Sequence, residues 1–270
     1  MPNYKKIKCI FCDLDGTLFP ERSAITAMTD LNVEWINRWL DQGNEFVIVT
    51  GRDRRYSYEI DAFFKRNIDY IGSNGATILH EGKEIFHQVI EKKTVLKLLE
   101  VVDTIEIEHE LFMALEDDSD VADFGPDNRW LDRISKKIYS IEEYRNSIEL
   151  GASKFVVITK SLEDTLVIRE LLRERFGRTL TIVNSSSHSI DVVSQGVDKW
   201  TALQKYCELL GYQLDEVVAI GNEENDYLMI KNTPLSFAIE DSIEKVLDAA
   251  TFVVPAVHVV IRDYLMKGDE

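Results

Sequence analysis

The stretch Ile10-Phe11-Cys12-Asp13-Leu14-Asp15-Gly16-Thr17-Leu18 is an apolar run that stops abruptly in two carboxylates and a glycine. Residues 7–12 read as a buried strand, a short and nearly continuous hydrophobic segment of the kind parallel sheets use. Residues two apart on an extended chain point to the same side. Asp13 and Asp15 can therefore face one site at the strand's C-terminal end, and Gly16 permits the sharp exit that opens it. Open α/β sheets place their ligands there, outside the carboxyl ends of the strands. A bare Asp-x-Asp is also ordinary turn chemistry, so its meaning depends on the rest of the chain.

A short polar loop, Pro20-Glu21-Arg22-Ser23, leads to an amphipathic helix predicted from about Thr26 to Asp41. Ile25, Met28, Leu31, Trp35, Ile36, Trp39 and Leu40 recur at helical spacing, and Gly43 supplies a stop. So short a segment leaves no room for a domain inserted after Asp15. Glu45 to Arg52 is a second apolar strand that ends in Thr50-Gly51-Arg52. The Thr50 hydroxyl and the backbone N–H groups of the turn at Gly51 can donate to a phosphate oxygen. A helix near Arg54 to Lys65 precedes Asp69-Tyr70-Ile71-Gly72-Ser73-Asn74-Gly75-Ala76, a short strand and a tight turn. Thr77 to Gln88 reads as a hairpin around Glu81-Gly82-Lys83.

The character shifts between about 83 and 188. Glu100 to Phe124 carries ten acidic residues and no Lys or Arg. A solvated acidic face explains this, and so does a surface that disfavours highly anionic ligands or favours one carrying an amine. Lys154 to Thr159 reads as a strand, Leu162 to Phe176 as a helix and Thr179 to Val183 as a strand, which suggests an α+β layer with one exposed sheet face. The expected organisation is a core over 1–82 and 189–270 with an inserted domain over 83–188, Ser189 to Val193 returning the chain to the core. The remaining alternation, through Asp215 to Ile220, Leu235 to Ile239, Thr251 to Val254 and a last helix, predicts a doubly wound, mostly parallel, Rossmann-like α/β sheet.

Composition narrows the chemistry. There are 31 Lys and Arg against 48 Asp and Glu, a formal net charge of −17. Such a surface repels nucleic acid and anionic membranes, so a phosphate-bearing ligand must be met by a local positive cluster or a metal. The N-terminal residues show no apolar signal region and no run is long enough to span a bilayer, which leads to the expectation of a cytoplasmic protein. Its three cysteines fit a reducing compartment. Cys9 and Cys12 are three apart on a strand and face opposite ways, which suits core thiols rather than a metal pair or a disulfide.

Asp-Leu-Asp-Gly-Thr-Leu directly after a buried strand resembles the first motif of the haloacid dehalogenase (HAD) superfamily, and Thr50-Gly51-Arg52 resembles its second. Asn74-Gly75-Ala76, about 22 residues after Arg52, is similar to the Cof-type branch, subfamily IIB. Gly196-Val197-Asp198-Lys199 matches the third motif, with Trp200 where that branch often has glycine. Gly221-Asn222-Glu223-Glu224-Asn225-Asp226 resembles the fourth, with Asn222 where the family has an aspartate ligand for magnesium. The resemblance implies an Mg²⁺-dependent phosphatase acting on a small phosphorylated metabolite of the sugar phosphate class, with the inserted α+β domain as a cap.

It implies roles as well. Asp13 would be the nucleophile that forms an aspartyl-phosphate, and Asp15 the general acid and base. Lys199 and Thr50 would stabilise the transferring group, with Gly51, Asn74, Arg52 and Asn225 as further phosphate contacts. Mg²⁺ would be held by Asp13, the backbone carbonyl of Asp15 and Asn222, with Asp226 behind them. An amide oxygen in place of a carboxylate should hold the ion less tightly. A phosphomutase or phosphotransferase shares these motifs, and a non-catalytic phosphate-binding module remains an alternative because of Asn222. The sequence does not give the oligomeric state.

Overall fold

The structure, a computed structural model, describes residues 4–19, 28–123 and 136–267. The predicted polar loop at 20–23 and the first residues of the predicted helix, with Ile25, lie outside these. The chain divides into two compact units, one of Met1–Ile85 with Asp198–Glu270 and one of Phe86–Val197.

The first unit is built on an eight-stranded sheet. In chain order its elements are β1 (Cys9–Cys12), α1 (Asp30–Asp41), β2 (Glu45–Val49), α2 (Tyr56–Phe64), β3 (Asp69–Gly72), β4 (Thr77–His80) and β5 (Lys83–His87). Six further strands, β6 to β11, belong to the second unit's sheet and are given below. The first unit's sheet is completed by β12 (Val217–Gly221), β13 (Ser236–Ile239) and β14 (Phe252–Val254), in the order β14-β13-β12-β1-β2-β3-β4-β5. From β14 to β3 every pairing is parallel, while β4 runs antiparallel to β3. β1 is central and fully buried, which is why its sequence is apolar without alternation. Successive strands fill the sheet to one side of β1 and then, after the second unit, to the other. The order therefore reverses between β1 and β12, the point where such sheets open a ligand crevice.

Helix α1 begins at Asp30, later than the sequence pattern predicts. The Thr29 side chain accepts the N–H of Asn32, and that cap fixes the start. Ile36 and Trp39 enter the core, whereas Leu31 is exposed although its spacing suits the apolar face. The Trp39 indole donates to the Glu45 carbonyl at 2.9 Å, tying the helix to β2. The β4–β5 turn has both Glu81 and Gly82 at positive φ (50° and 72°), as a tight two-residue hairpin requires. The predicted last helix is a short α-helical turn, Val257–Val259, that passes into a π-helix over Val260–Leu265.

The second unit contains α3 (Lys92–Val102), β6 (His109–Leu115), β7 (Asp120–Asp123), β8 (Ile138–Tyr139), α4 (Ile141–Ser147), β9 (Ala152–Thr159), α5 (Leu162–Phe176), β10 (Leu180–Ser186) and β11 (Ser189–Ser194). Its strands form one sheet in the order β10-β11-β9-β6-β7-β8. Leu98, Tyr144, Ile168 and Leu172 of the helices pack on Met113, Phe155, Val157 and Val192 of the strands, and this is a hydrophobic core separate from that of the first unit. The predicted return to the core at 189 is not what the chain does. β11 pairs antiparallel with both β10 and β9, so residues 189–194 stay in the second sheet and the unit ends at Val197. The turn at 187–188 is too short for anything but a hairpin. Within the acidic stretch, Asp120 is buried, so the whole stretch is not a solvated face.

All three cysteines are free and buried, as core thiols are. Among the described residues no helix is long and apolar enough to cross a membrane.

Candidate active site

The site forms at the C-terminal ends of β1 and β12. Asp13 follows β1 directly, and its N–H donates to the carbonyl of Ile220 at 2.9 Å, which extends the β1–β12 pairing by one residue. Leu14 to Phe19 then folds back on itself, with the Phe19 N–H donating to Leu14 and the Gly16 N–H to Phe19, both at 2.8 Å. Gly16 has φ +84°, and a Cβ there would lie 2.3 Å from the side-chain nitrogen of Asn222. The left-handed backbone requires glycine here, and the Asn222 side chain lies close against it.

Lys199 opens α6 (Lys199–Leu210), whose start is fixed by a capping box between Asp198 and Thr201. Trp200, half-buried, does not disturb this start. The Lys199 ammonium donates to Asp13 Oδ1 and to Asp226 Oδ1, each at 2.6 Å. All three side chains are removed from water, with Asp13 at 4%, Lys199 at 1% and Asp226 at 0% exposure. Asp226 Oδ2 accepts the N–H groups of Asn222 (2.9 Å) and Glu223 (3.0 Å), closing the loop after β12. Burial, and then the neighbouring Asp226, push the Asp13 carboxyl up to about 7, against the pull of Lys199. Burial alone would lower Lys199, but the two carboxylates raise it well above its ordinary value and keep it charged.

On the other side of β1, Asp15 is bridged in bidentate fashion by Arg52, Nε to Oδ2 at 2.9 Å and a terminal nitrogen to Oδ1 at 2.5 Å. The guanidinium lies 4.9 Å from the ring centroid of Tyr56 and 5.8 Å from that of Phe19. Burial works against the Arg52 charge, and Asp15 more than offsets it. Thr50 is buried where β2 ends. Its hydroxyl accepts the Arg52 N–H at 3.1 Å, and its carbonyl accepts the Asn74 N–H at 2.9 Å. Ser73 and Asn74 both adopt left-handed backbone (φ 51° and 55°), conformations rare outside glycine and concentrated at functional turns. The Asn74 side-chain oxygen accepts from Asn225 Nδ2 at 3.0 Å. Gly75 (φ +111°) lets this turn press on α6, since a Cβ there would sit 2.6 Å from the Asp198 carbonyl oxygen.

The structure therefore gathers the sequence-predicted residues into two linked groups. Asp13, Lys199, Asp226 and Asn222 make one, and Asp15, Arg52, Thr50, Gly51, Asn74 and Asn225 line the adjoining strand ends. Sequence reasoning passes over Thr17, whose hydroxyl donates to Asn222 Oδ1 at 3.1 Å, although it lies inside the first motif. It also passes over Asn32, whose amide holds the Leu18 carbonyl at 3.2 Å and whose oxygen accepts the His258 N–H. Nothing in a helical asparagine signals that. Among the described residues no group of three or more His, Cys, Asp or Glu is placed to hold a metal ion. An ion at this site must draw on amide and carbonyl oxygens as well as carboxylate.

The model of the haloacid dehalogenase-like hydrolase family matches residues 10–259, nearly the whole chain. The chain belongs to this family. Among this hydrolase's relatives, a 5-amino-6-(5-phospho-D-ribitylamino)uracil phosphatase of Bacillus subtilis is 28% identical over 248 residues, covering 92% of this chain and 89% of the relative. A phosphatase of the same name from Escherichia coli is 25% identical over 252 residues, covering 91% and 90%. The crystal structure of a haloacid dehalogenase-like hydrolase from Bacteroides thetaiotaomicron superposes with a TM-score of 0.79 at 22% identity, over 94% of this chain and 98% of that one. That likeness is one of fold.

Proposed function

We propose that this hydrolase is an Mg²⁺-dependent, Cof-type phosphatase that cleaves a small phosphate monoester by way of an aspartyl-phosphate on Asp13. The observation that carries the reading is the buried line Asp13–Lys199–Asp226 at the β1–β12 switch point, with a second carboxylate, Asp15, two residues from the first. A carboxylate nucleophile divides one difficult displacement at phosphorus into two easier ones.

In the first step Asp13 Oδ2, the oxygen not held by Lys199, attacks phosphorus opposite the ester oxygen. The P–O bond to the alcohol breaks, and Asp15, entering this step as the carboxylic acid with one oxygen freed from Arg52, delivers the proton that the departing alkoxide needs. In the second step Asp15 takes a proton from water, whose oxygen attacks the same phosphorus and releases inorganic phosphate and Asp13. Lys199 and the Thr50 hydroxyl offset the charge on the oxygens in transfer. The donor set fits magnesium. Asp13, the Asp15 carbonyl and the Asn222 amide are all oxygen ligands of the kind a hard cation takes. When bound, the ion neutralises phosphate charge so that an anionic nucleophile can approach.

We assign substrate selection to the second unit as an inserted cap. The ribitylamino-uracil phosphate named for both relatives carries its phosphate on a sugar-alcohol chain, and this supports a sugar or polyol phosphate as the substrate class. The test is phosphate release from an aryl phosphate with and without Mg²⁺, for the native chain and for Asp13→Asn, followed by a panel of sugar and polyol phosphates that includes that compound. Magnesium-dependent turnover lost in D13N is the expected result. A native chain inactive at high Mg²⁺ on the whole panel would overturn the reading.

A further inference from the structure

The position where this chain departs from its family's fourth motif is also where the charge of the site is decided. Resting on the assignment of Asp13, the Asp15 carbonyl and Asn222 to magnesium, the charges around that position can be followed group by group. Asp226 spends Oδ1 on Lys199 and Oδ2 on the N–H groups of Asn222 and Glu223. Glu223 closes a reciprocal cap with Asp226, its carboxylate accepting that residue's N–H. Asp15 gives both carboxylate oxygens to Arg52. Asn222 is neutral, and its amide oxygen already receives the Thr17 hydroxyl. The remaining carboxylate, Asp13, shares its charge with Lys199.

Asp13, Asp15, Glu223 and Asp226 thus each have a cation or N–H donors as partner before any metal arrives. Magnesium gives up its water reluctantly and in sites of this kind is held by one or two carboxylates together with substrate phosphate. An aspartate at 222 would add a full negative charge; the asparagine adds none. A phosphate group carries up to two negative charges to the same place. We propose that Asn222 makes metal loading conditional on the phosphoryl ligand: the free protein binds Mg²⁺ weakly, and Mg²⁺ and phosphate enter as a thermodynamically coupled pair. Lys199 fits this arrangement, because it compensates the nucleophile's charge while the metal is absent.

Coupling of this kind is reciprocal, so phosphate must tighten Mg²⁺ by the same factor by which Mg²⁺ tightens phosphate. The experiment is isothermal titration calorimetry of the full chain with MgCl₂ alone, with inorganic phosphate alone, and with each at saturating concentrations of the other. The expected result is Mg²⁺ affinity about tenfold or more higher with phosphate present, and an equal gain for phosphate. In Asn222→Asp, Mg²⁺ should bind the phosphate-free protein about tenfold or more tightly than it binds the native chain, and the coupling factor should shrink.

Equal Mg²⁺ affinity with and without phosphate in the native chain overturns the proposal. So does an unchanged affinity and coupling in a folded N222D. Should N222D fail to fold, the native titrations decide alone. If Mg²⁺-dependent aryl-phosphate turnover is present and the coupling is absent, only this inference falls. Absence of Mg²⁺ binding even at saturating phosphate removes the metal assignment and this inference together.

Discussion

The ammonium of Lys199 lies 2.6 Å from a carboxylate oxygen of Asp13, although 186 positions separate them in the chain. The same nitrogen is 2.6 Å from Asp226, so one buried cation balances two buried anions. Taking away one partner of a buried ion pair leaves uncompensated charge, which typically costs about 3–5 kcal/mol. Lys199→Met should therefore unfold at markedly lower denaturant concentration as well as lose turnover. Chemical denaturation of K199M beside K199M/D226N separates the two effects. The double variant, with one carboxylate fewer, should recover much of the stability and none of the activity.

Asp13 shows the opposite balance. Its carboxyl ordinarily titrates near 3.8 and in the folded chain is pushed up to about 7, first by burial and then by Asp226. Between about pH 4 and about pH 7 the folded state keeps a proton that the unfolded chain has released. The contribution of this group to stability therefore falls as pH rises through that window. Asp13→Asn removes the cost together with the proposed nucleophile. Differential scanning calorimetry should find D13N more stable than the native chain at pH 8, by on the order of 4 kcal/mol, and nearly equal to it at pH 4. A destabilised D13N at pH 8 would mean that the Lys199 hydrogen bond outweighs the burial of charge.

Each of the four stretches read from sequence is local. An apolar strand, a glycine and a polar residue at its end can be recognised without knowing what lies beside them, and Asp13, Thr50 and Asn222 have that form, while Lys199 follows a local helix-start signal at Asp198. Pairings across the sheet are not local. Arg52 meets Asp15 because β1 and β2 run parallel with Cys12 beside Ile48, a register that neither segment encodes alone. Thr17 meets Asn222 for the same reason across β1 and β12. Ser189 to Val193 reads from its sequence as a strand of the core, but Ile-Asp-Val-Val suits either sheet. Only its hairpin with β10, closed by a two-residue turn, decides the matter.

Gly75 offers a test of the scaffold rather than of the chemistry. Its φ of +111° disfavours any side chain, and a Cβ would meet the Asp198 carbonyl at 2.6 Å and the Ala202 Cβ at 2.8 Å. Both of those atoms belong to the start of α6, the turn that carries Lys199. Gly75→Ala should cost about 2–4 kcal/mol, combining backbone strain with overpacking. It should also lower kcat in the surviving folded fraction by displacing the lysine. Thermal unfolding and active-site titration read the two consequences separately.

Arg52 and Asp15 form the pair whose contribution depends most on what leaves. Each is partly open to solvent, 20% and 31% by side chain, so the ion pair itself adds little to stability and Arg52→Gln should fold normally. What the guanidinium fork supplies is orientation, because its two donors and the Tyr56 and Phe19 rings beside it hold the Asp15 carboxyl in one place. A nitrophenolate departs without being protonated, whereas a sugar or polyol alkoxide needs its proton during bond cleavage, and a positioned acid is worth about 10²–10⁴-fold there. R52Q and D15N should therefore lose much more kcat on an alkyl phosphate than on 4-nitrophenyl phosphate, with D15N the more severe. Under single-turnover conditions R52Q should show the same selective loss in the phosphorylation step. Equal losses on both substrates would make Arg52 a phosphate ligand rather than a support for Asp15.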